Sequence, residues 1–433
     1  MKFLSQLALI ACMIMLCATF LPAFPQTLTV TAPSLHVSGA QILNSSNQVV
    51  VLRGIGRTGD LQSASGMWST QGMAVADWSQ KWMPISSNIP LMDATFQCYQ
   101  QYWHVNMIRM LIPVNWYWQN NVVPSMQDPT YYPTWTTPIS YQTYIATVAQ
   151  QAAKYGIYVD ICPYELISNY QDNASRGAQG QPMGNWDSYA QSFLASTGLT
   201  EQQFWSQYWI LIANNLKKYP NVIFEAWNEP QDSGYDAISS GYMIYLTTMY
   251  NAVRSAGAQN LIFMQWDSGY VPTYNDLSWA SQISEAIPNA INLVFTTHAY
   301  RHGPSFNFQW GTNYTTVLQQ LLVAVQSMGV NAPLLINEAG SCLFSVPSNN
   351  IQVELDWWNS LNHATSTLGI GLTGYYWISD SDLGPAYSGE TLLSGSWGSG
   401  AASPTPNNMG QIFLNYAPTT LLEEGQQVFS RVF

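Results

Sequence analysis

Hydrophobic and polar positions change period repeatedly along this chain. Residues 35–54, LHVSGAQILNSSNQVVVLRG, alternate in period two across a polar stretch at Asn44 to Asn47. That pattern reads as a β-hairpin leading into a first core strand near Val50 to Arg53. Beyond it, short continuous apolar runs take turns with segments of helical period. The runs are NMIRMLIPV (106–114), GIYVDIC (156–162), VIF (222–224), NLIFMQW (260–266), INLVFTTHAY (291–300), APLLINEAG (332–340) and IGLTGYYW (370–377). Helices are expected around residues 94–103, 141–154, 201–218, 235–255, 315–327 and 353–367.

Apolar runs without alternation are the mark of parallel strands covered on both faces. Eight of them interleaved with helices, without a GxGxxG motif or a change of composition regime, predict one closed (β/α)8 TIM barrel. An N-terminal β-hairpin precedes it, and long aromatic-rich loops follow its strands. A doubly wound open sheet is the alternative. One aromatic loop is expected to hold Trp116, Tyr117, Trp118 and Trp135. The longest others span residues 56–88 and 163–197, and a Ser/Gly-rich stretch runs to about residue 408.

The amino terminus stands apart. Lys2 precedes a continuous apolar run from Leu7 to Phe20, and Pro22 and Pro25 follow. The run is short for a membrane span, so residues 1–24 read as a secretory signal, with an uncleaved anchor as the alternative. Residues 25–433 then form a single domain, expected to be exported and monomeric. Of the remaining cysteines, Cys98, Cys162 and Cys342 allow at most one disulfide, have no zinc-type spacing, and suit small apolar packing.

Charge narrows the partners. Only 8% of residues are charged, against about 25% in a typical chain, while 47% are apolar. With 24 acids against 12 bases there is no basic patch for nucleic acid. A surface poor in carboxylates loses little when they protonate, which suggests an acidic working environment. Asn44-Ser45-Ser46, Asn173-Ala174-Ser175 and Asn313-Tyr314-Thr315 are N-glycosylation sequons.

Two strand ends carry the chemistry. The run at 222–224 leads to Ala226-Trp227-Asn228-Glu229-Pro230, and the run at 332–340 ends Asn337-Glu338-Ala339-Gly340. In a barrel, strands four and seven face each other across the mouth. Two carboxylates flanking a cleft amid many aromatics is what glycosidic bond cleavage needs: one protonated, to donate to the leaving oxygen, the other ionised. A pair of solvated strand-end acids is the bland alternative.

The ordered series of strand ends resembles glycoside hydrolase family 5, in the clan of retaining (β/α)8 glycosidases. The opening VSGAQIL…VVLRGIG, Arg109 in NMIRM, Asn228-Glu229-Pro230, His298-x-Tyr300, Glu338 and Trp377 match the family in order. The resemblance implies that Glu229 is the acid/base and Glu338 the nucleophile, with no cofactor and no metal. It also implies support from Arg109, which can hydrogen-bond Glu338, and from Tyr300, which can orient it. Asn228 can hold a sugar 2-hydroxyl, His298 can bond sugar or carboxylate, and Trp377 can floor a pyranose. A metal reading of His298 with His302 would need a helix where a strand is ending. One departure stands out. The family's "LDLH" pattern at strand three reads VDICPYE here, without the His, and Tyr164 or Glu165 are candidates for its space.

The chain holds 18 Trp and 26 Tyr, many near strand ends, among them Trp116, Trp186 and Trp266. Stacked aromatics suit a run of flat pyranoses and internal cleavage. The expected activity is that of a secreted retaining endo-β-1,4-glucanase acting on a polysaccharide such as cellulose. An endo-β-mannanase or β-1,3-glucan hydrolase is the near alternative, and a non-catalytic carbohydrate-binding protein the distant one.

Overall fold

The computed structural model describes residues 32–56, 91–123, 139–163, 182–184, 186, 188–230, 240–265, 278–302, 323, 332–342, 351–374 and 406–417. A hairpin of β1 (Leu35–Ser38) and β2 (Gln41–Asn44) precedes a closed barrel of eight parallel strands. These are β3 (Arg53–Gly56), β4 (Met107–Ile112), β7 (Tyr158–Pro163), β8 (Val222–Glu225), β9 (Ile262–Gln265), β10 (Leu293–His302), β11 (Leu334–Cys342) and β12 (Gly371–Gly374). Each pairs with the next, and β12 closes on β3 through Leu372 opposite Arg53. Seven of the eight expected runs therefore become barrel strands, the first leads into β3, and the open-sheet alternative falls away.

Two expectations at the start of the chain are corrected. The hairpin turns at Gly39-Ala40, where Gly39 takes a φ of +58° open to glycine at little cost, and not at Asn44 to Asn47. The polar stretch makes a second turn, in which the Asn44 side chain accepts from the N–H groups of Ser46 and Gln48. Val49 and Val50 then pair back onto β2, so the first barrel strand begins only at Arg53. Because Asn44 is buried and its amide donates to Gln48, the first sequon's acceptor nitrogen is engaged in the fold. The other two sequons lie outside the described residues, as do the amino-terminal segment and nearly all of the helix expected at 315–327.

Nine helices occur among the described residues: α1 (Leu91–Gln101), α2 (Val114–Gln119), α3 (Tyr141–Ala153), α4 (Ser188–Ser196), α5 (Glu201–Leu216), α6 (Ser240–Ser255), α7 (Ser278–Ala286), α8 (Ile351–Leu368) and α9 (Asn408–Asn415). Four of them, α2, α4, α7 and α9, fall where loops or unassigned stretches were expected. A small ribbon of β5 (Val122–Val123) and β6 (Ile139–Ser140) follows α2. Local chemistry sets the helix starts. The Thr200 hydroxyl and the Gln203 side chain cap each other's backbone N–H at the head of α5, an arrangement contributing about 1 kcal/mol. The face of α5 that turns inward carries Phe204, Trp205, Tyr208 and Trp209, all buried. Arg53 ties the two ends of the barrel chain together: it donates to Asn362 of α8 at 2.9 Å and to the Phe413 carbonyl of α9.

Inside the barrel, side chains fall into two layers. Met107, Tyr158, Ile223, Phe263, Val294 and Leu335 form an apolar floor that the hairpin residues Leu35 and Ile42 cover from below. Two residues further along each strand, on the same side of the pleat, stand Arg109, Asp160, Glu225, Gln265, Thr296 and Asn337, all buried. The residues between them, such as Ile108, Val159, Phe224, Met264 and Ile336, join the outer core shared with the helices. The interior is thus dry at the amino-terminal end and polar toward the end where barrel enzymes do their chemistry. Gly54, from the LRG stretch, belongs to this packing, since a Cβ there would lie 2.8 Å from Thr373 Oγ1 and 3.1 Å from the Met107 carbonyl.

Candidate active site

Both Asn-Glu pairs are delivered by departures from regular strand geometry. On β11 the register against β10 shifts between Thr297 and His298, so that Ile336 faces Thr297 but Glu338 faces His298. Successive residues of a strand normally point to opposite sides, and such a bulge allows two in a row to face inward. Asn337 accordingly donates to Glu225 at 2.8 Å within the barrel, while Glu338 meets Arg109 and His298 above it. After β8 the chain turns out of the barrel wall, and Glu229 adopts a φ of +47°, uncommon for a residue with a side chain.

Arg109 joins these parts. Its Nε and Nη2 grip both oxygens of Glu225 at 2.7 Å, a two-pronged arrangement that fixes the plane of the guanidinium. Its Nη1 then donates to Glu338 Oε2, and Nη2 donates to Asn228 Oδ1 at 2.9 Å. An arginine has only donors to offer, so the Asn228 carbonyl must face it and the amide NH2 points elsewhere. Burial opposes the charge on Arg109, but Glu225, Cys162 and Glu338 outweigh that and raise its pKa well above the ordinary value.

His298 is fully buried, with Nδ1 2.9 Å from Glu229 Oε1 and 3.7 Å from Glu338 Oε1. Burial pushes its pKa down to about 4, Glu338 pulling the other way, so it is a neutral imidazole at the pH values of most assays. Glu338 is nearly buried beside a fixed cation, whereas the Glu229 side chain keeps 31% of its exposure and faces that neutral ring. Ligand atoms of Glu229, His298 and Glu338 lie within 4.8 Å of one another, the set among the described residues that a cation could occupy. His298 and His302 lie along one strand, β10, and not on a helical turn.

Sequence reasoning missed the layer beneath. Asp160 is fully buried, with Oδ2 3.9 Å from Arg109 Nε. Burial, reinforced by the charge of Glu225, raises the Asp160 pKa well above its ordinary value, although Arg109 partly opposes the shift. For Glu225 burial raises and the contacts with Arg109 lower, and the net shift is downward. The two carboxyls are thus driven apart, Asp160 toward its protonated form and Glu225 toward its ionised one. The available signal was an acid inside an apolar strand run, an expensive place for a carboxylate in a chain with so few. Cys162, at the position of the family's His, also faces inward: its Sγ lies 3.5 Å from Arg109 Nη2, so its neighbours are polar and not the apolar packing expected.

A stability prediction follows from the pair. A carboxyl whose folded pKa exceeds its unfolded value of about 3.8 contributes stability that is complete below that pH and is lost as pH rises through the folded value. Asp160→Asn mimics the protonated form. Urea midpoints measured from pH 4 to 9 are expected to fall with rising pH more steeply for wild type than for the variant. Parallel curves would mean that Asp160 is ionised in the fold.

Other expected site residues are placed differently. Trp116 sits on α2, 5% exposed, its ring edge-on to Tyr141 at 5.9 Å. The expected loop folds as a helix ended by Asn120 at φ +54°, which turns its aromatics into the core. Trp118 packs on Phe204 at 4.9 Å, and Trp186 donates to Glu201 at 2.7 Å. In the fold each of these rings has packing partners, with Trp116 and Trp186 buried and Trp118 half-buried. Tyr300 lies in β10 opposite Gly340 of β11. Tyr164, Glu165, Trp266 and Trp377 lie outside the described residues.

An eight-stranded parallel barrel with paired carboxylates at its strand ends defines a class, the (β/α)8 glycosidases. The chain belongs to glycosyl hydrolase family 5: the family model described as cellulase matches residues 64–381. It is therefore an O-glycosyl hydrolase by family. A comparison with curated protein sequences finds no match. Among solved structures, an endocellulase from Pyrococcus horikoshii, in complex with cellotetraose, shares the fold at TM-score 0.57 and 14% identity, over 89% of this chain and 100% of that one. The catalytic domain of the major endoglucanase from Xanthomonas campestris pv. campestris does so at 0.56 and 15%, over 88% and 99%.

Proposed function

We propose that the protein is a secreted, retaining, endo-acting β-glycanase whose preferred substrate is a β-1,4-glucan such as cellulose. The observation that carries the mechanism is the convergence of Glu229, His298 and Glu338 within 4.8 Å at the barrel mouth. Retaining enzymes set their two carboxyls about 5 Å apart, and inverting enzymes need ~6.5 Å or more to admit a water. Glu338, aimed by Arg109, attacks the anomeric carbon as the glycosidic bond breaks, and Glu229 gives its proton to the departing oxygen. Glu229, now an anion, takes a proton from water as that water's oxygen attacks the same carbon and releases Glu338. The Asn228 amide, turned away from Arg109, is free to meet the 2-hydroxyl, where a hydrogen bond strengthens toward the transition state.

The glucan preference is supported by the family and by the content of Trp and Tyr, and an acidic optimum by the scarcity of charged residues. Reducing-sugar release from carboxymethyl-cellulose, mannan and laminarin between pH 3 and 8 tests both. Turnover on the cellulose derivative, highest below neutrality, is expected. Preferential cleavage of mannan or laminarin would reassign the substrate, and binding without turnover on all three would make the protein a lectin on an enzyme fold.

A further inference from the structure

Beyond the end of β8, backbone carbonyls of the barrel wall still pair the chain as far as Asn228. Ala226 still donates to Phe263 of β9 at 2.9 Å, and its own carbonyl accepts from the Tyr245 hydroxyl of α6. Trp227 is buried among Trp205, Trp186 and Tyr245, with ring centroids 5.6, 5.7 and 6.4 Å away. Asn228 donates instead to Pro163 on the opposite neighbour, β7, at 3.3 Å. By Glu229 the backbone is left-handed, with φ +47°, a conformation disfavoured for a residue with a Cβ. Its N–H points back at β9, where the next acceptor comes from a side chain. Gln265, the last residue of β9 and fully buried, accepts that N–H on Oε1 at 3.0 Å. Gln265 is held in turn at its main chain, where the carbonyl accepts from Tyr242 of α6 at 2.8 Å.

We propose that Gln265 is a positioning residue for proton donation: by accepting the Glu229 N–H it holds the left-handed turn that aims the Glu229 carboxyl at His298 and the bond to be broken. The inference rests on the reading of Glu229 as acid/base. A glutamine suits the task because its carbonyl accepts strongly yet cannot take the proton that Glu229 must deliver. A shorter amide would not reach, and an apolar side chain would remove this acceptor from the Glu229 N–H and leave the turn freer to relax toward φ below zero. The α6 tyrosines extend the same support, since Tyr245 holds the main chain before the turn at Ala226 and Tyr242 holds that of Gln265.

The test is leaving-group dependence. Aryl β-glycosides of the sugar chosen by the polysaccharide panel are compared, one with a phenol leaving group that needs protonation and one with 2,4-dinitrophenol that does not. For Gln265→Leu, kcat/KM is expected to fall about 30- to 100-fold on the phenyl glycoside and only a few-fold on the dinitrophenyl one, part of the ~10²- to 10⁴-fold that a positioned acid contributes. Gln265→Glu, which keeps an acceptor oxygen at the same reach, is expected to restore most of the lost selectivity. The ratio of the two substrates is taken on one preparation, so any change in folded fraction cancels. Equal losses on both substrates, or no loss on either, would overturn the proposal. Glu229→Gln is measured alongside. If it shows the selective loss while Gln265→Leu does not, only the role of Gln265 fails. If Glu229→Gln itself shows no selectivity, the acid/base reading fails first.

Discussion

On the proposed mechanism, Glu338→Ala is expected to retain the fold and lose ~10⁴-fold or more in kcat, because it removes the nucleophile of the covalent step. Arg109 keeps its two-pronged bond to Glu225 and its bond to Asn228 in this variant, so no buried charge is stranded. The vacated space beside the guanidinium suits a small anion. Added azide should therefore attack the anomeric carbon from the same face as the missing carboxylate and release an α-glycosyl azide, with the leaving group still protonated by Glu229. Glu229→Ala should give the opposite result with an activated substrate. Its glycosyl-enzyme forms on Glu338, and azide then arrives from the Glu229 side to yield the β-azide. Product anomers by NMR decide the matter, and a β-azide from Glu338→Ala would exchange the two roles.

The second large effect is structural and catalytic together. Arg109 bonds side chains from β8 and β11 and the turn after β8, all of it out of solvent. Arg109→Met leaves Glu225 and Glu338 without their cation next to Asp160. Breaking a buried ion pair by removing one partner typically costs about 3–5 kcal/mol. A loss of that size in the free energy of urea unfolding is expected, with activity reduced by ~10³-fold or more because Glu338 and Asn228 lose their aim. The double variant Arg109→Met/Glu225→Gln should recover part of the stability and none of the activity, since it removes the stranded charge without restoring the contact to Glu338. A single variant as stable as wild type would show that the cluster is solvated and weakly coupled.

How much of this was legible in the sequence depends on direction in space. The barrel was, because strands covered on both faces leave apolar runs of strand length, and all eight could be counted off. Glu229 and Glu338 were, because each ends such a run beside an asparagine. The layer below was not. Asp160 and Glu225 are single acids within runs that otherwise read as core, and only the angular position of β7 and β8 around the barrel shows them meeting Arg109. The tilt of Glu338 inward depends on a one-residue shift between β10 and β11, and pairing register is not written in either strand alone. Gln265 reaches a turn 36 residues earlier, a contact that exists only once β8 and β9 are neighbours. The aromatic count does not by itself separate two uses: the same residue types fill an aromatic core and line a glycan path, and α2 and α5 use several of them for the former.

The hairpin beneath the barrel has a consequence for the start of the chain. Ala32 belongs to the floor cluster and donates to the Ala153 carbonyl at 3.1 Å, and the Tyr158 hydroxyl donates to the Pro33 carbonyl at 3.0 Å. Trimming of the amino terminus by a protease therefore has to stop ahead of Ala32, since a cut beyond it begins to open Met107, Phe263 and Val294 to water. The point of attachment for anything upstream lies at the sealed end of the barrel, opposite the carboxylates.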